Sequence, residues 1–289
     1  MLGHALVDAL RGKGSDCLAT DHELDISSFA AVDAFVRRER PAIIVNAAAY
    51  TRVDAAETHA EESYATNERG AACLARAALE SSSTFLHVST DYVFDGESQV
   101  AYTEDMPCAP RGVYANSKRA GELAVLATAA LNPAGVYIVR TSWLFGEHGA
   151  NFVTTILRLL RERESLRVVD DQHGRPTYTR DLAEAIVDLL GIGRRPRALP
   201  GVYHFANTGA TTWHGLASAV FETARAAGIV LSAREIVPIP SSEYPLPAPR
   251  PHFSVLDTSR IASALGREPR PWLESLREFM SATLRSPSA

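Results

Sequence analysis

Three short apolar runs constrain this chain more than anything else in it. Ala42-Ile43-Ile44-Val45, Phe85-Leu86-His87-Val88 and Gly135-Val136-Tyr137-Ile138-Val139-Arg140 are strand-length and almost continuously apolar, the pattern of strands covered on both faces of a parallel sheet. Stretches with helical periodicity lie between them. Ser27-Ser28 cap a helix running to about residue 38, a second helix covers about 61–81, and a third runs from Tyr114 to about residue 128. Strands alternating with helices through short loops build βαβ units. The expectation is an α/β fold, a Rossmann-type doubly wound parallel sheet. Ligands of such sheets bind in the crevice outside the carboxyl ends of the strands. Segments 46–49, 89–91 and 141–143 each follow a strand, so they are expected to line one crevice.

The pattern changes after about residue 145. Helices are expected at 151–163, at 181–190 with Thr179 as cap, at 213–226 and at 272–284, with strands at 166–169 and 201–205. Residues 237–252 hold six of the 16 prolines and predict an extended loop. The arginine-rich stretch 191–200 predicts an exposed loop rather than a binding patch. This suggests one unit at 1–145, rejoined by segments near 166–206, and a smaller α/β region at 146–289.

Composition excludes several classes. Net charge is −5 with no basic block, so nucleic-acid binding has no electrostatic support. No apolar stretch approaches bilayer length. The start, Met1-Leu2-Gly3-His4, is not a secretory leader. Three widely spaced cysteines, Cys17, Cys73 and Cys108, make neither a disulfide framework nor a metal cluster and suit reduced thiols in the cytoplasm. His148, His173, His204, His214 and His252 lack metal-ligand spacing.

The chemistry concentrates in two pieces. Tyr114 and Lys118 are four apart on a helix and share a face. Of the 29 Lys and Arg residues only two are Lys, Lys13 and Lys118. A chance Tyr-x-x-x-Lys is therefore expected only roughly 0.06 times. Where the chain uses Lys it needs a compact charge that can lose its proton. Thr90, at the end of the Phe85 strand, places a hydroxyl beside the pair. Hydroxyl, Tyr and Lys together make carbonyl reduction possible.

The beginning of the chain looks incomplete. Residues 2–11 predict a helix and 16–20 a strand. Gly3 sits where the third glycine of Gly-x-x-Gly-x-x-Gly would open a helix against a pyrophosphate. The preceding strand and first two glycines are absent. Without a central strand, its neighbours lose partners at roughly 1 kcal/mol per unmet buried group. The expectation is a natural protein longer by about ten residues, or one that has lost nucleotide binding.

These residues carry a resemblance. The chain resembles the extended short-chain dehydrogenase/reductases, and within them the dTDP-4-dehydrorhamnose reductases, from Gly3 to about Met280. It rests on Val45-Asn46-Ala47-Ala48-Ala49-Tyr50-Thr51 with Val53-Asp54 and Glu57, Asn67, Ser89-Thr90-Asp91-Tyr92-Val93-Phe94-Asp95-Gly96, and Tyr114-Ala115-Asn116-Ser117-Lys118 with Gly121-Glu122. Arg140-Thr141-Ser142-Trp143, Asp170-Asp171-Gln172-His173-Gly174-Arg175-Pro176-Thr177 with Asp181, Gly201-Val202-Tyr203-His204, Thr211-Thr212-Trp213 and Arg250-Pro251 continue it. Thr90-Asp91-Tyr92 stands where related dehydratases carry Thr-Asp-Glu or Thr-Glu-Glu, which argues for plain reduction.

The resemblance implies reduction of the C4 ketone of dTDP-4-dehydro-L-rhamnose by NADPH or NADH. It also implies that the unit at 1–145 is a dinucleotide-binding domain and that the region at 146–289 is mainly substrate-binding. Tyr114 would be the proton donor, Lys118 would lower its pKa and hold the nicotinamide ribose, Thr90 would bond the carbonyl, and Asn67 would relay protons. Leu2, Gly3, Asp25, Ile26, Ala49, Tyr50, Thr51 and Val88 would line the cofactor with Tyr114 and Lys118. Thr90, Asp91 and Trp143 would meet the substrate, a dTDP-sugar. Asp21 either accepts from a ribose hydroxyl or is a solvated loop acid. Some relatives form homodimers through a divalent cation such as Mg2+; no feature here calls for one. Two other readings stand beside this one: a non-catalytic binding subunit like the regulatory subunit of methionine adenosyltransferase, and a reductase of another 4-keto nucleotide sugar.

Overall fold

A computed structural model of the chain describes residues 1–193 and 198–285. Residues 194–197 of the arginine-rich stretch lie outside the described residues. In chain order the elements are α1 (Leu2–Gly12), α2 (Phe29–Glu39), β1 (Ile43–Asn46), α3 (Val53–Ala56), α4 (Ala60–Tyr64), a π-helical turn (Ala65–Gly70), α5 (Ala71–Glu80), β2 (Thr84–Thr90), α6 (Val113–Ala129), β3 (Val136–Thr141), β4 (Leu144–Phe145), α7 (Phe152–Glu162), β5 (Ser165–Val169), β6 (His173–Gly174), β7 (Thr177–Tyr178), α8 (Thr179–Leu189), β8 (Gly201–His204), β9 (Thr211–Thr212), α9 (Trp213–Ala226), β10 (Glu235–Ile239), α10 (Ser259–Leu265) and α11 (Trp272–Arg285).

The central sheet is parallel with strand order β1-β2-β3-β8. Its side chains alternate between two layers, as the pleat requires. Leu86, Tyr137, Val139 and Tyr203 face a layer containing Leu2 and Leu6 of α1, Leu182, Ile186 and Leu189 of α8, and Ile261 of α10. Phe85, Val136 and Ile138 face Val32 and Val36 of α2, Leu74 and Ala78 of α5, and Val125 of α6. Each fully buried Leu, Ile, Val or Phe contributes about 1.5–3 kcal/mol, so β2 and β3, covered on both faces, are the anchor. α8 and β8 come from the second half of the chain yet pack into this unit. The remaining C-terminal elements have their own core, with Val153, Ile156 and Leu160 of α7, Leu216 and Val220 of α9 and Phe279 of α11 packed on Leu166 and Val168 of β5.

Side-chain caps start α2, α7 and α9. Ser28 accepts from the Ala31 N–H and starts α2. Asn151 and Thr154 form a reciprocal capping box on α7. Thr212 accepts from the Gly215 N–H and starts α9.

Four expectations need correction. Residues 16–20 form no strand, and Leu18 is 62% exposed. A strand exists through its partners, and no described strand lies alongside this segment. β1 is only half-buried at Ile43, Ile44 and Val45, because among the described strands it pairs with β2 alone. The proline-rich stretch is not wholly a loop: residues 235–239 form β10, parallel to β5. Pro238 is tolerated because β10 is an edge strand. Thr179 is the first residue of α8 rather than its cap.

Candidate active site

The site begins where β2 ends. Thr90 leads into a 3-10 turn at Asp91–Val93. Its hydroxyl donates to Asp91 Oδ1 at 3.0 Å and accepts from the Tyr92 N–H at 3.3 Å. α6 starts opposite, after Gly112, whose φ of +85° suits glycine. A Cβ there would also crowd Glu57 and Pro249. The Glu57 carboxylate accepts the Val113 N–H at 2.8 Å, satisfying a donor of the first turn. That anchor sets Tyr114 down beside Thr90. Thr90 is near enough to bear on the Tyr114 hydroxyl, and Tyr92 meets the Tyr114 ring edge-on at 5.5 Å.

Tyr114 and Lys118 are both buried. Burial pushes Tyr114 up to about 12, against the Thr90 hydrogen bond and aided by the Asp91 charge. Burial pushes Lys118 down to about 8, while Glu122 works the other way. Lys118 Nζ donates to the Val88 carbonyl, 2.8 Å away, and lies 3.4 Å from His87 Nε2. Burial raises Asp91 to about 6, with the Thr90 hydrogen bond opposing.

α6 is held against its neighbours by two devices. A Cβ on Gly121 would collide with the backbone carbonyl oxygen of Asn67, so only glycine permits this approach. Glu122, fully buried, receives Arg140 Nε and Nη2 at 2.8 and 2.9 Å and Arg119 at 2.7 Å. Burial disfavours the Glu122 charge, but Arg140 outweighs it and keeps the carboxyl below its usual range.

Asn67 lies in the π-helical turn, a feature frequent at functional sites. Its amide accepts the Tyr50 N–H at 2.8 Å and donates to the Tyr50 carbonyl at 3.1 Å and to Ser117 Oγ at 2.9 Å. It thus ties the 49–51 loop to α6. Ala49 and Tyr50 are half-buried and Thr51 is exposed. Ile26 fills the space over Gly70 of the same turn, where a Cβ would meet its side chain. Asp25 accepts from the Ser27 N–H and hydroxyl at 2.9 and 2.7 Å, shaping the approach to α2.

At α1, the Leu2 side chain is core and only its backbone serves the helix N-terminus. That end has no side-chain cap and no acid in its first turn, and the Gly3 Cβ position faces open space. Free first-turn amides suit an anion. The buried Tyr114–Lys118 pair suits a ribose-bearing nicotinamide at the other end of the crevice. The residues present therefore fit a dinucleotide.

Trp143 follows β3 with φ +47°, a strained conformation for a bulky residue. Trp213 stacks on it at 3.6 Å and 8°, and Gly174 gives it room, since a Cβ there would strike the indole. Trp213 is itself tied to Gln172 at 3.1 Å. The Thr141 hydroxyl, across from Thr90 in the sheet, is buried and has no hydrogen-bond partner among the described residues.

The sequence places Asn46 in the crevice segment and Trp213 in the resemblance but gives no role to either, nor to His87. The one available signal was a histidine inside an otherwise apolar strand.

The comparisons with known proteins agree over nearly the whole length. The family model described as RmlD substrate binding domain matches residues 1–285. A dTDP-4-dehydrorhamnose reductase of Streptomyces griseus is 44% identical over 285 residues, covering 98% of this chain and 90% of that protein. Among solved structures, a dTDP-4-dehydrorhamnose reductase from Clostridium acetobutylicum superposes with TM-score 0.88 at 34% identity, covering 98% of this chain and 96% of that one. The Bacillus anthracis reductase, in complex with NADP, gives 0.87 at 35%, covering 97% and 95%. The chain belongs to the RmlD family, the dTDP-4-dehydrorhamnose reductases.

Proposed function

We propose that this chain reduces the C4 ketone of dTDP-4-dehydro-L-rhamnose to dTDP-L-rhamnose, using NADPH or NADH. The observation that carries the reading is the meeting of Thr90, Tyr114 and Lys118 at the carboxyl end of β2. Names of relatives support the substrate, and the NADP of the Bacillus anthracis structure supports the cofactor.

A bound reduced nicotinamide supplies the hydride. The chain supplies the proton and the geometry. Tyr114, held protonated by burial, gives its hydroxyl proton to the oxygen that becomes an alkoxide as C4 is reduced. Thr90, whose one hydroxyl proton goes to Asp91 in the free site, turns that proton to the same oxygen when substrate binds. Lys118 places a positive charge under the ribose side of the site. Asn67 fixes the 49–51 loop along the cofactor. Trp143, backed by Trp213, offers a flat wall to the sugar or base. Residues 1–145, with the sheet strand at 201–204, hold the dinucleotide, and the core of residues 146–289 carries the substrate side. Among the described residues no helix is long and apolar enough to cross a membrane and no side-chain group has metal-binding composition. A cytoplasmic enzyme, acting alone or as a homodimer, fits this reading.

The test is to mix the folded chain with dTDP-4-dehydro-L-rhamnose and NADPH or NADH. Loss of reduced-nicotinamide absorbance with formation of dTDP-L-rhamnose is expected. A folded protein that binds cofactor and consumes none would overturn the reading.

A further inference from the structure

His87 is a buried polar residue that the mechanism leaves unused. It stands on β2 between Asn46 on β1 and Lys118 on α6, and it is fully shielded from solvent. Hydrogen positions follow from the partners. Asn46 Oδ1 accepts the Ala48 N–H at 3.1 Å, which fixes the orientation of the amide. Asn46 Nδ2 therefore faces His87 Nδ1, at 3.0 Å, as a donor. Nδ1 must accept, so the single proton of the neutral ring sits on Nε2. Nε2 lies 3.4 Å from Lys118 Nζ. An N–H meeting an ammonium is a clash of two donors. The same N–H meeting a free amine is a hydrogen bond.

We propose that His87 is a positioning residue for Lys118: Asn46 locks its ring with the donor toward the amine, which favours loss of the Lys118 proton and lets that residue change charge during the working cycle. The inference rests on Lys118 acting at the reacting centre.

The surroundings agree. From β2, Lys118 meets His87 and the Val88 carbonyl; along α6 it meets Tyr114 one turn before and Glu122 one turn after. Glu122 would hold the proton on Lys118, but Arg140 from β3 and Arg119 already occupy its carboxylate. Asn46, from β1, carries no charge. Burial, together with the Lys118 charge, keeps His87 itself well below its usual pKa and hence neutral. A neutral ring has a directional proton, and that proton is the device.

The chain makes this readable, because it contains only two lysines. With 13C-labelled lysine and 15N-labelled histidine in the full chain, Lys118 titrates beside Lys13, which is half exposed and serves as internal reference. In the wild type the 15N shifts and one-bond coupling should place the His87 proton on Nε2; a proton on Nδ1 would overturn the proposal. In His87→Phe the Lys118 midpoint should rise by about one pH unit while Lys13 stays put, and the limb of the pH–rate profile that follows Lys118 should move with it. An unmoved midpoint would overturn the proposal. Phe also strands Asn46, so a gentler variant is paired with it. In Asn46→Asp the carboxylate accepts from Nδ1–H and turns Nε2 into an acceptor for the ammonium. A tautomer swap with a raised midpoint is expected, and a swap with no change at Lys118 would contradict the coupling. These readouts follow protons rather than turnover. A protein that passes them and still fails to reduce dTDP-4-dehydro-L-rhamnose refutes the proposed function and leaves this coupling standing.

Discussion

The two sides of the central sheet are built differently. β2 and β3 are paired on both edges, covered on both faces, and carry or contact Thr90, Lys118 and the Glu122–Arg140 pair. β1 is half-buried and, among the described strands, paired on one edge only; the 16–20 segment beyond it is exposed. Proton chemistry needs fixed distances and a low dielectric to shift pKa values, and both come from the tightly packed side. The side nearest α1 and the 46–51 loop offers backbone amides and half-buried loops. It suits the binding of an extended ligand more than chemistry.

Substitutions can break this contrast, the largest effect first. Tyr114→Phe should lower turnover by about 10³-fold, within the usual range for losing a general acid, with cofactor affinity retained; steady-state rates and a cofactor titration check it. Retained turnover would remove Tyr114 from the proton-donor role. Glu122→Ala should cost about 3–5 kcal/mol of stability, because it leaves Arg140 buried without its partner; denaturant unfolding measures this. Gly121→Ala forces α6 off the Asn67 carbonyl and should cost about 1–3 kcal/mol, visible in the same unfolding curves.

Asp91 gives a pH signature. Its folded pKa of about 6 lies above that of an ordinary carboxyl, so the folded state holds the proton more tightly than the unfolded chain. Asp91 thus favours the fold most at low pH, and that stability is lost as pH climbs from about 4 through about 6, by up to about 2 kcal/mol. Melting temperatures of wild type and Asp91→Asn should diverge over that window; parallel curves would contradict it. On the other side of the contrast, Leu18→Ser should change stability by less than about 0.5 kcal/mol. A larger loss would mean the 16–20 segment is packed after all.

Much of the sheet was legible from sequence, since Phe85-Leu86 and Val136-Tyr137-Ile138 carry continuous apolar patterns that only a covered strand needs. Tyr114 and Lys118 were legible from spacing and from the scarcity of lysine. What stayed hidden depends on partners that periodicity cannot see. The 16–20 run has strand composition but no neighbour to pair with. β10 hides behind Pro238, which is acceptable only because that strand is an edge. α10, at 259–265, is short and gave no signal. Asn67 reads as one residue of a helix, yet its service to Tyr50 comes from the π-helical turn. His87 reads as an oddity in an apolar strand until Asn46 and Lys118 are seen on either side of it.

On the proposed function, this crevice delivers a hydride to C4 and a proton to its oxygen. The most direct measurement uses NADPH carrying deuterium at the transferable position with dTDP-4-dehydro-L-rhamnose as substrate, followed by NMR of the sugar product. Deuterium at C4 of dTDP-L-rhamnose, with the hydroxyl proton drawn from solvent, is the predicted result. A sugar product without deuterium, or with it on another carbon, would contradict that step.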